Sequence, residues 1–166
     1  MLSVQLSLIM CIIENSSSDI FFMDKALELA KRAFDMGEVP VGAVVVRNGE
    51  IIGKGYNLRE NLKSAVSHAE VLAIEEACRS VGSWRLSGCT LYVTMEPCPM
   101  CAGTLVNSRI DRVVFGCKDR VAGCLGSVMD FRYYPFNHSF SVQSGVREEE
   151  CAQLLKSFFD NKRKKY

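Results

Sequence analysis

Apolar positions along this chain recur first at helical and then at strand spacing, and the switches between the two mark out the elements. Leu27, Ala30, Ala33 and Phe34 share one face of a helix that ends near Gly37. The β-branched run over 41–46 reads as a buried strand, and Asn48-Gly49 is a dipeptide that closes a tight hairpin into Ile51 and Ile52. Further on, the pattern predicts a helix over 67–79, a strand over 90–94, a helix over 99–107, a strand over 112–115 and a last strand over 139–143. A closing amphipathic helix over 147–162 carries Cys151, Leu154, Leu155, Phe158 and Phe159 as a single stripe. A hairpin followed by strand-helix-strand units predicts a three-layer α/β/α sandwich around a mixed, mostly five-stranded sheet. Nothing repeats and no linker interrupts the pattern, so 23–166 is expected to be one domain.

The stretch before it reads differently. Residues 8–13 are an apolar run of six, far short of the roughly 20 needed to cross a bilayer, and no Lys or Arg precedes Lys25 to make the basic start of a signal peptide. Neither a membrane anchor nor a leader is therefore expected. Met23-Asp24-Lys25-Ala26-Leu27 opens the first helix, so residues 1–22 are expected to be an N-terminal extension, with Met23 as the natural start. The alternative is a short extension that packs on the domain.

Composition narrows the setting. With 166 residues, 48% of them hydrophobic, the chain buries a full core without disulfide staples, so its eight cysteines do not argue for a secreted scaffold. A reducing, cytoplasmic compartment is expected, with Cys11, Cys78, Cys89, Cys117, Cys124 and Cys151 as small core or partly exposed residues, Cys117 and Cys124 of them in an oxidation-sensitive loop. The net charge of +1 does not by itself mark a nucleic-acid-binding protein. Lys162-Arg163-Lys164-Lys165 does concentrate positive charge beside Phe158 and Phe159, which suits RNA phosphates or simply a solvated helix end.

The chemistry lies in two short segments, His68-Ala69-Glu70 and Pro97-Cys98-Pro99-Met100-Cys101. On the first turn of a helix Cys98 and Cys101 share a face, and Pro99 suits the first helical position because its missing N–H would have no acceptor there. A thiol at a helix start also ionises more easily, as a thiolate ligand must. His68 and Glu70 point apart in mid-helix and reach one site only at a helix start, for which Ser67 is the expected N-cap. Taken alone, Ser67 and Glu70 also read as a capping box, in which the glutamate only bonds back to the backbone. Together with the two cysteines the pattern points to zinc held by His68, Cys98 and Cys101, leaving the open position of a catalytic site. The remaining histidine, His138, reads as a structural loop residue, and Cys89 and Cys117 do not repeat the CxxC spacing of a zinc ribbon.

His-x-Glu followed by Pro-Cys-x-x-Cys is the signature of zinc-dependent nucleobase deaminases. Glu38-Val39-Pro40-Val41-Gly42-Ala43, Gly55-Tyr56-Asn57, Leu91-Tyr92-Val93-Thr94-Met95-Glu96, Cys101-Ala102-Gly103, Ser108-Arg109-Ile110, Arg112-Val113-Val114-Phe115-Gly116 and Gly126-Ser127-Val128-Met129-Asp130 extend the match. Over about 23–164 the chain resembles the bacterial tRNA-specific adenosine deaminases. That resemblance implies a cytidine deaminase-like fold, one zinc ion per subunit, and Glu70 as the proton carrier that helps water attack C6 of adenine. The implied substrate is the wobble adenosine of a tRNA anticodon stem-loop, and the implied products are inosine and ammonia. It also implies a homodimer whose RNA site draws on both subunits. Asn57 and the backbone N–H of Ala69 match the family's contacts to the flipped base, Val41 its pocket wall, and Asp119 a position near the ribose. Asn57 read by itself would only close a turn, and Glu96 reads either as orienting a ligand or the base, or as a partner of the helix dipole. Two other functions use parts of the same pattern. A deaminase of free guanine or cytosine needs the zinc and the glutamate but no RNA surface, and a non-catalytic zinc-binding subunit would not need Glu70.

Overall fold

The computed structural model describes residues 2–164, with side chains from residue 17 onward. The readings of residues 8–13, Cys11 and Lys165 lie outside the described side chains. In chain order the elements are α1 (Leu2–Asp35), β1 (Gly42–Arg47), β2 (Glu50–Tyr56), the short α2 (Arg59–Leu62), α3 (Ala69–Val81), β3 (Cys89–Met95), α4 (Pro99–Ser108), β4 (Arg112–Cys117), β5 (Ser141–Ser144) and α5 (Glu148–Arg163). A single 3-10 turn, Phe131–Tyr133, interrupts the long connection from β4 to β5. The sheet order is β2-β1-β3-β4-β5, with β1 antiparallel to both its neighbours and β3, β4 and β5 parallel. This is the mixed five-stranded sheet that the pattern predicts.

Strand period explains the layers. Ala43, Val45, Leu91, Val93, Val113 and Phe115 point to one face, where they meet Ala69, Ala73 and Ala77 of α3 and Ala102 and Leu105 of α4. Their neighbours Val44, Val46, Tyr92 and Val114 point to the other, against Met23, Ala26 and Leu27 of α1 and Cys151 and Leu155 of α5. Because both faces are covered, the strands read as near-continuous apolar runs. Cys124 lies in a loop as expected, whereas Cys117 closes β4; both thiols are buried, which shields them from the oxidation expected of that segment. The short α2, with no buried residue, carries no apolar stripe by which the sequence could announce it.

The alanine face of α3 lies unusually close to β2. A Cβ on Gly55 would sit 2.1 Å from the carbonyl oxygen of Ala69 and 2.6 Å from the backbone nitrogen of Ala73. Only glycine permits that approach, and the helix turn it supports carries His68 and Glu70. Gly55→Ala is therefore expected to cost about 3 kcal/mol, at the upper end for an overpacked core. Urea unfolding at fixed zinc concentration measures it, and an unchanged midpoint would show that the helix can simply shift outward.

α1 runs unbroken through Met23. Upstream of that residue, Phe22 packs on Tyr92 with ring centroids 5.2 Å apart. Asp19 is 2% exposed and accepts from both terminal nitrogens of Arg112, at 2.8 and 2.7 Å, and from the Tyr92 hydroxyl at 2.8 Å. Packing on the sheet thus begins before Met23. Burial and the adjacent carboxylate push the Tyr92 hydroxyl well above its usual range. Arg112→Ala strands a buried carboxylate without its cation and should cost about 3 kcal/mol, while Arg112→Ala combined with Asp19→Ala should cost less than the sum. Additive losses in thermal unfolding would mean that the two residues act separately.

Candidate metal centre and active-site pocket

Two helices start at one place. The N-cap of α3 is His68 and that of α4 is Cys98, both with extended backbone, and neither side chain makes a capping hydrogen bond. Ser67 is thus one position outside the helix and Glu70 is its second residue, so the expected cap at Ser67 is displaced to His68. A capping box needs its glutamate at the third position, and this register denies it. Pro99 occupies the start of α4 as the sequence predicts.

The side chains freed from capping converge. His68 Nδ1 lies 3.7 Å from Cys98 Sγ and 3.6 Å from Cys101 Sγ, and the three donor atoms fall within 4.8 Å of one another. A tetrahedral zinc ion with ordinary Zn–S and Zn–N bonds sets its nitrogen and sulfur ligands about 3.6 Å apart. The donor set therefore fits zinc in both chemistry and spacing, and no other such trio occurs among the described residues. Hydrogen bonding from the Cys101 thiol, and then from His68, brings the Cys98 thiol down to about 4, against the opposing effect of burial. Glu70, 4% exposed, stands beside the trio, and burial pushes its carboxyl up to about 7.

Val41, Asn57, His68, Ala69, Glu70, Glu96, Cys98 and Asp119, drawn from separate segments of the chain, line a single pocket that takes in two of the three donors, and the third, Cys101, is fully buried. Asn57 follows β2; its backbone N–H donates to the Val41 carbonyl at 3.0 Å and its Nδ2 to the Val39 carbonyl at 3.3 Å. Its Oδ1 is the one buried side-chain polar atom among the described residues without a hydrogen-bond partner. Turn closure uses only the donors of Asn57, which leaves an unpaired acceptor on a residue that lines the pocket. Ala69 is the first residue of α3, where a backbone N–H has no helical acceptor. Asp119 holds its own turn, its Oδ1 accepting from the N–H groups of Val121 and Ala122 at 2.9 and 3.2 Å.

Sequence reasoning missed Val39, Met95 and Arg59, which also line the pocket. The two apolar residues carry no signal. Arg59 carries a faint one, as a basic residue two positions after Asn57 in the connection leading to the metal-bearing helix. Its guanidinium makes no ion pair among the described residues. His138 lies outside the pocket and donates from Nε2 to the Ile110 carbonyl at 2.6 Å, the structural role expected of it. At the C-terminus Lys162 lies over the Phe158 ring at 4.9 Å and Arg163 pairs with Asp160 at 2.8 Å, so two of the clustered cations already have partners. Among the described residues no helix is long and apolar enough to cross a membrane.

A family model of the cytidine and deoxycytidylate deaminase zinc-binding region matches residues 16–117, which include all three donors and Glu70. The tRNA-specific adenosine deaminase of Bacillus subtilis is 52% identical over 150 residues, covering 90% of this chain and 93% of that one. The chain belongs to this family. A solved structure from work on A-to-I editing by tRNA:A34 deaminases superposes with a TM-score of 0.79 at 39% identity, covering 81% of this chain and 98% of its own. The guanine deaminase of Nitrosomonas europaea, at 23% identity and a TM-score of 0.70 over 82% of both chains, shares the fold alone. Zinc is accordingly the metal of this site, and the three-layer sandwich is that of the cytidine deaminase-like proteins.

Proposed function

We propose that this chain is a zinc-dependent hydrolytic deaminase that converts the wobble adenosine of a tRNA anticodon to inosine and releases ammonia. The observation that carries the reading is the meeting, in one pocket, of a three-donor zinc site, a buried carboxylate outside it and an unpartnered amide oxygen. Similarity to tRNA-specific adenosine deaminases along nearly the whole chain supports the substrate.

His68, Cys98 and Cys101 hold the metal, which when bound supplies the Lewis acidity that makes water nucleophilic at neutral pH. Glu70 takes a proton from the attacking water, delivers it to the purine N1 and then carries a proton to the departing amine. The C6–N bond breaks as the new C6–O bond becomes the carbonyl of inosine, so water and adenosine account for every atom of the products. A carboxyl whose proton affinity burial has raised toward neutrality suits both directions of transfer. Asn57 Oδ1 accepts a hydrogen bond from the substrate, the Ala69 N–H donates one, and Val41 packs on the base. A base can reach a metal and carboxylate set inside such a pocket only when taken out of its stack, hence from a single-stranded loop.

The rim supports a polynucleotide over a free base. Arg59 lines the opening, while Lys118 and Arg120 flank Asp119 as exposed cations without ion pairs among the described residues. Phosphates on either side of a flipped nucleotide would neutralise such charges. We also propose a cytoplasmic homodimer, in keeping with a tRNA substrate and with exposed Tyr133, Tyr134 and Phe136 gathered near the 3-10 turn.

The deciding assay incubates zinc-analysed protein with an anticodon stem-loop bearing a wobble adenosine and, separately, with adenosine, adenine, guanine and cytosine. Inosine formed only in the stem-loop is expected. Deamination of a free base with an untouched stem-loop would move the activity to nucleobase salvage. Sedimentation of the zinc-loaded protein tests the dimer.

A further inference from the structure

Glu96 lies between the end of β3 and the first zinc-ligand cysteine, and its backbone N–H donates to the carbonyl of Cys117 at the end of β4. Its side chain is 2% exposed, yet no cation faces it in the structure's ion pairs. Four donors do. Oε1 accepts from the N–H groups of Leu125 and Ser127 at 2.9 and 3.1 Å, and Oε2 accepts from the N–H of Asp119 at 3.1 Å and from the Ser127 hydroxyl. A carboxylate offers about four lone-pair sites, and all of them are filled from one loop, 119–127.

The loop is shaped around this group. A Cβ on Gly123 would sit 2.5 Å from both Cδ and Oε2 of Glu96, so the backbone passes directly over the carboxylate. Cys124 N–H donates to the carbonyl of Pro97 at 2.9 Å, tying the loop to the same turn that leads into α4. The loop contains no helix or strand and exposes Val121 almost fully, at 88%. Apart from the bond from Asp119 N–H to Glu96, the local ties of Asp119 run only to residues of its own turn, Val121, Ala122 and Gly123. The Cys124–Pro97 bond holds the far part of the loop, and the one hydrogen bond that joins Asp119 itself to the metal-ligand turn is the one to Glu96.

We infer that Glu96 is a positioning residue that docks the loop 119–127 onto the zinc-ligand turn and thereby sets Asp119 at the pocket mouth for binding of the substrate nucleotide. This rests on the proposed deaminase function of the same pocket. The carboxylate works as an acceptor only. Glutamine in its place would present an NH2 group to N–H donors and leave at least one of them without a partner.

The test uses zinc-loaded Glu96→Gln, Asp119→Ala and the double variant. Zinc content should stay at one ion per chain, and amide hydrogen exchange should rise at Asp119, Leu125 and Ser127 while α3 and α4 keep their protection. On the stem-loop, KM should rise roughly tenfold or more, the loss expected when hydrogen bonds to a charged group are broken, with a smaller change in kcat. Adding Glu96→Gln to Asp119→Ala should change KM little further, because the first acts through the second. Ser127→Ala removes a single donor and serves if Glu96→Gln does not fold; it should shift exchange and KM in the same direction by less. Unchanged exchange in the loop, additive effects of the two substitutions, or loss of zinc in Glu96→Gln would each overturn the assignment. If the unsubstituted protein does not deaminate the stem-loop, the proposed function fails, and the exchange result alone then decides for or against the docking role of Glu96.

Discussion

Glu70→Gln abolishes deamination, with a fall of at least about a thousandfold in kcat, and leaves the zinc in place. The size of the loss reflects the double duty of this carboxyl, since general acid–base transfer contributes roughly a hundred- to ten-thousandfold per role and one group here serves the water and the leaving amine in turn. Zinc retention follows from geometry, because the three donors converge without the carboxylate. Glutamine preserves the shape of a side chain that is 4% exposed, so the fold should survive, and Glu70→Ala should behave alike if its small cavity is tolerated. Measuring kcat on the stem-loop together with zinc stoichiometry separates the possibilities. Retained turnover would remove Glu70 from the proton path, and loss of metal would make it a ligand.

Cys98→Ala should instead lose stoichiometric zinc, and activity with it. Cys98 is the N-cap of α4, and its thiol is already the more acidic of the pair that Cys101 completes. Its removal leaves one sulfur and one imidazole, too few to hold the ion in competition with a chelator. Cys151→Ala is the matching control, since that thiol is buried against β4 on the opposite face of the sheet. Dialysis against a chelator followed by metal analysis should leave Cys98→Ala empty while Cys151→Ala keeps its zinc. Equal retention in both would mean that the metal is held elsewhere.

Much of this site is legible in the chain alone. His68, Cys98, Cys101 and Glu70 are recognisable because metal chemistry constrains residue type and spacing within each segment, and those constraints are local. The strands and the long helices are legible for a related reason, since burial on both faces of a sheet or along one stripe of a helix leaves a period in the sequence. Helix starts are less so. Ser67 is the natural N-cap, yet His68 holds that place, because a side chain needed by the metal overrides local capping preference by one residue. Asn57 stands open between turn closure and substrate contact in the sequence; the fold adds that its N–H groups close the turn and that its Oδ1 is left without a partner.

Residues that act through distant backbone leave no such mark. Glu96 faces a loop that begins 23 positions later, and Asp19 reaches Arg112 across 93. No periodicity or local spacing encodes pairings of that range, because they depend on which strands lie side by side and how the connections pack over them. Short-range patterns of residue type and spacing suffice for the layers, the metal chemistry and the proton carrier. Which helix starts meet, which loop brings Asp119 to the pocket and how the segment upstream of Met23 engages the sheet emerge only on folding, because each is an outcome of packing between segments far apart in the chain.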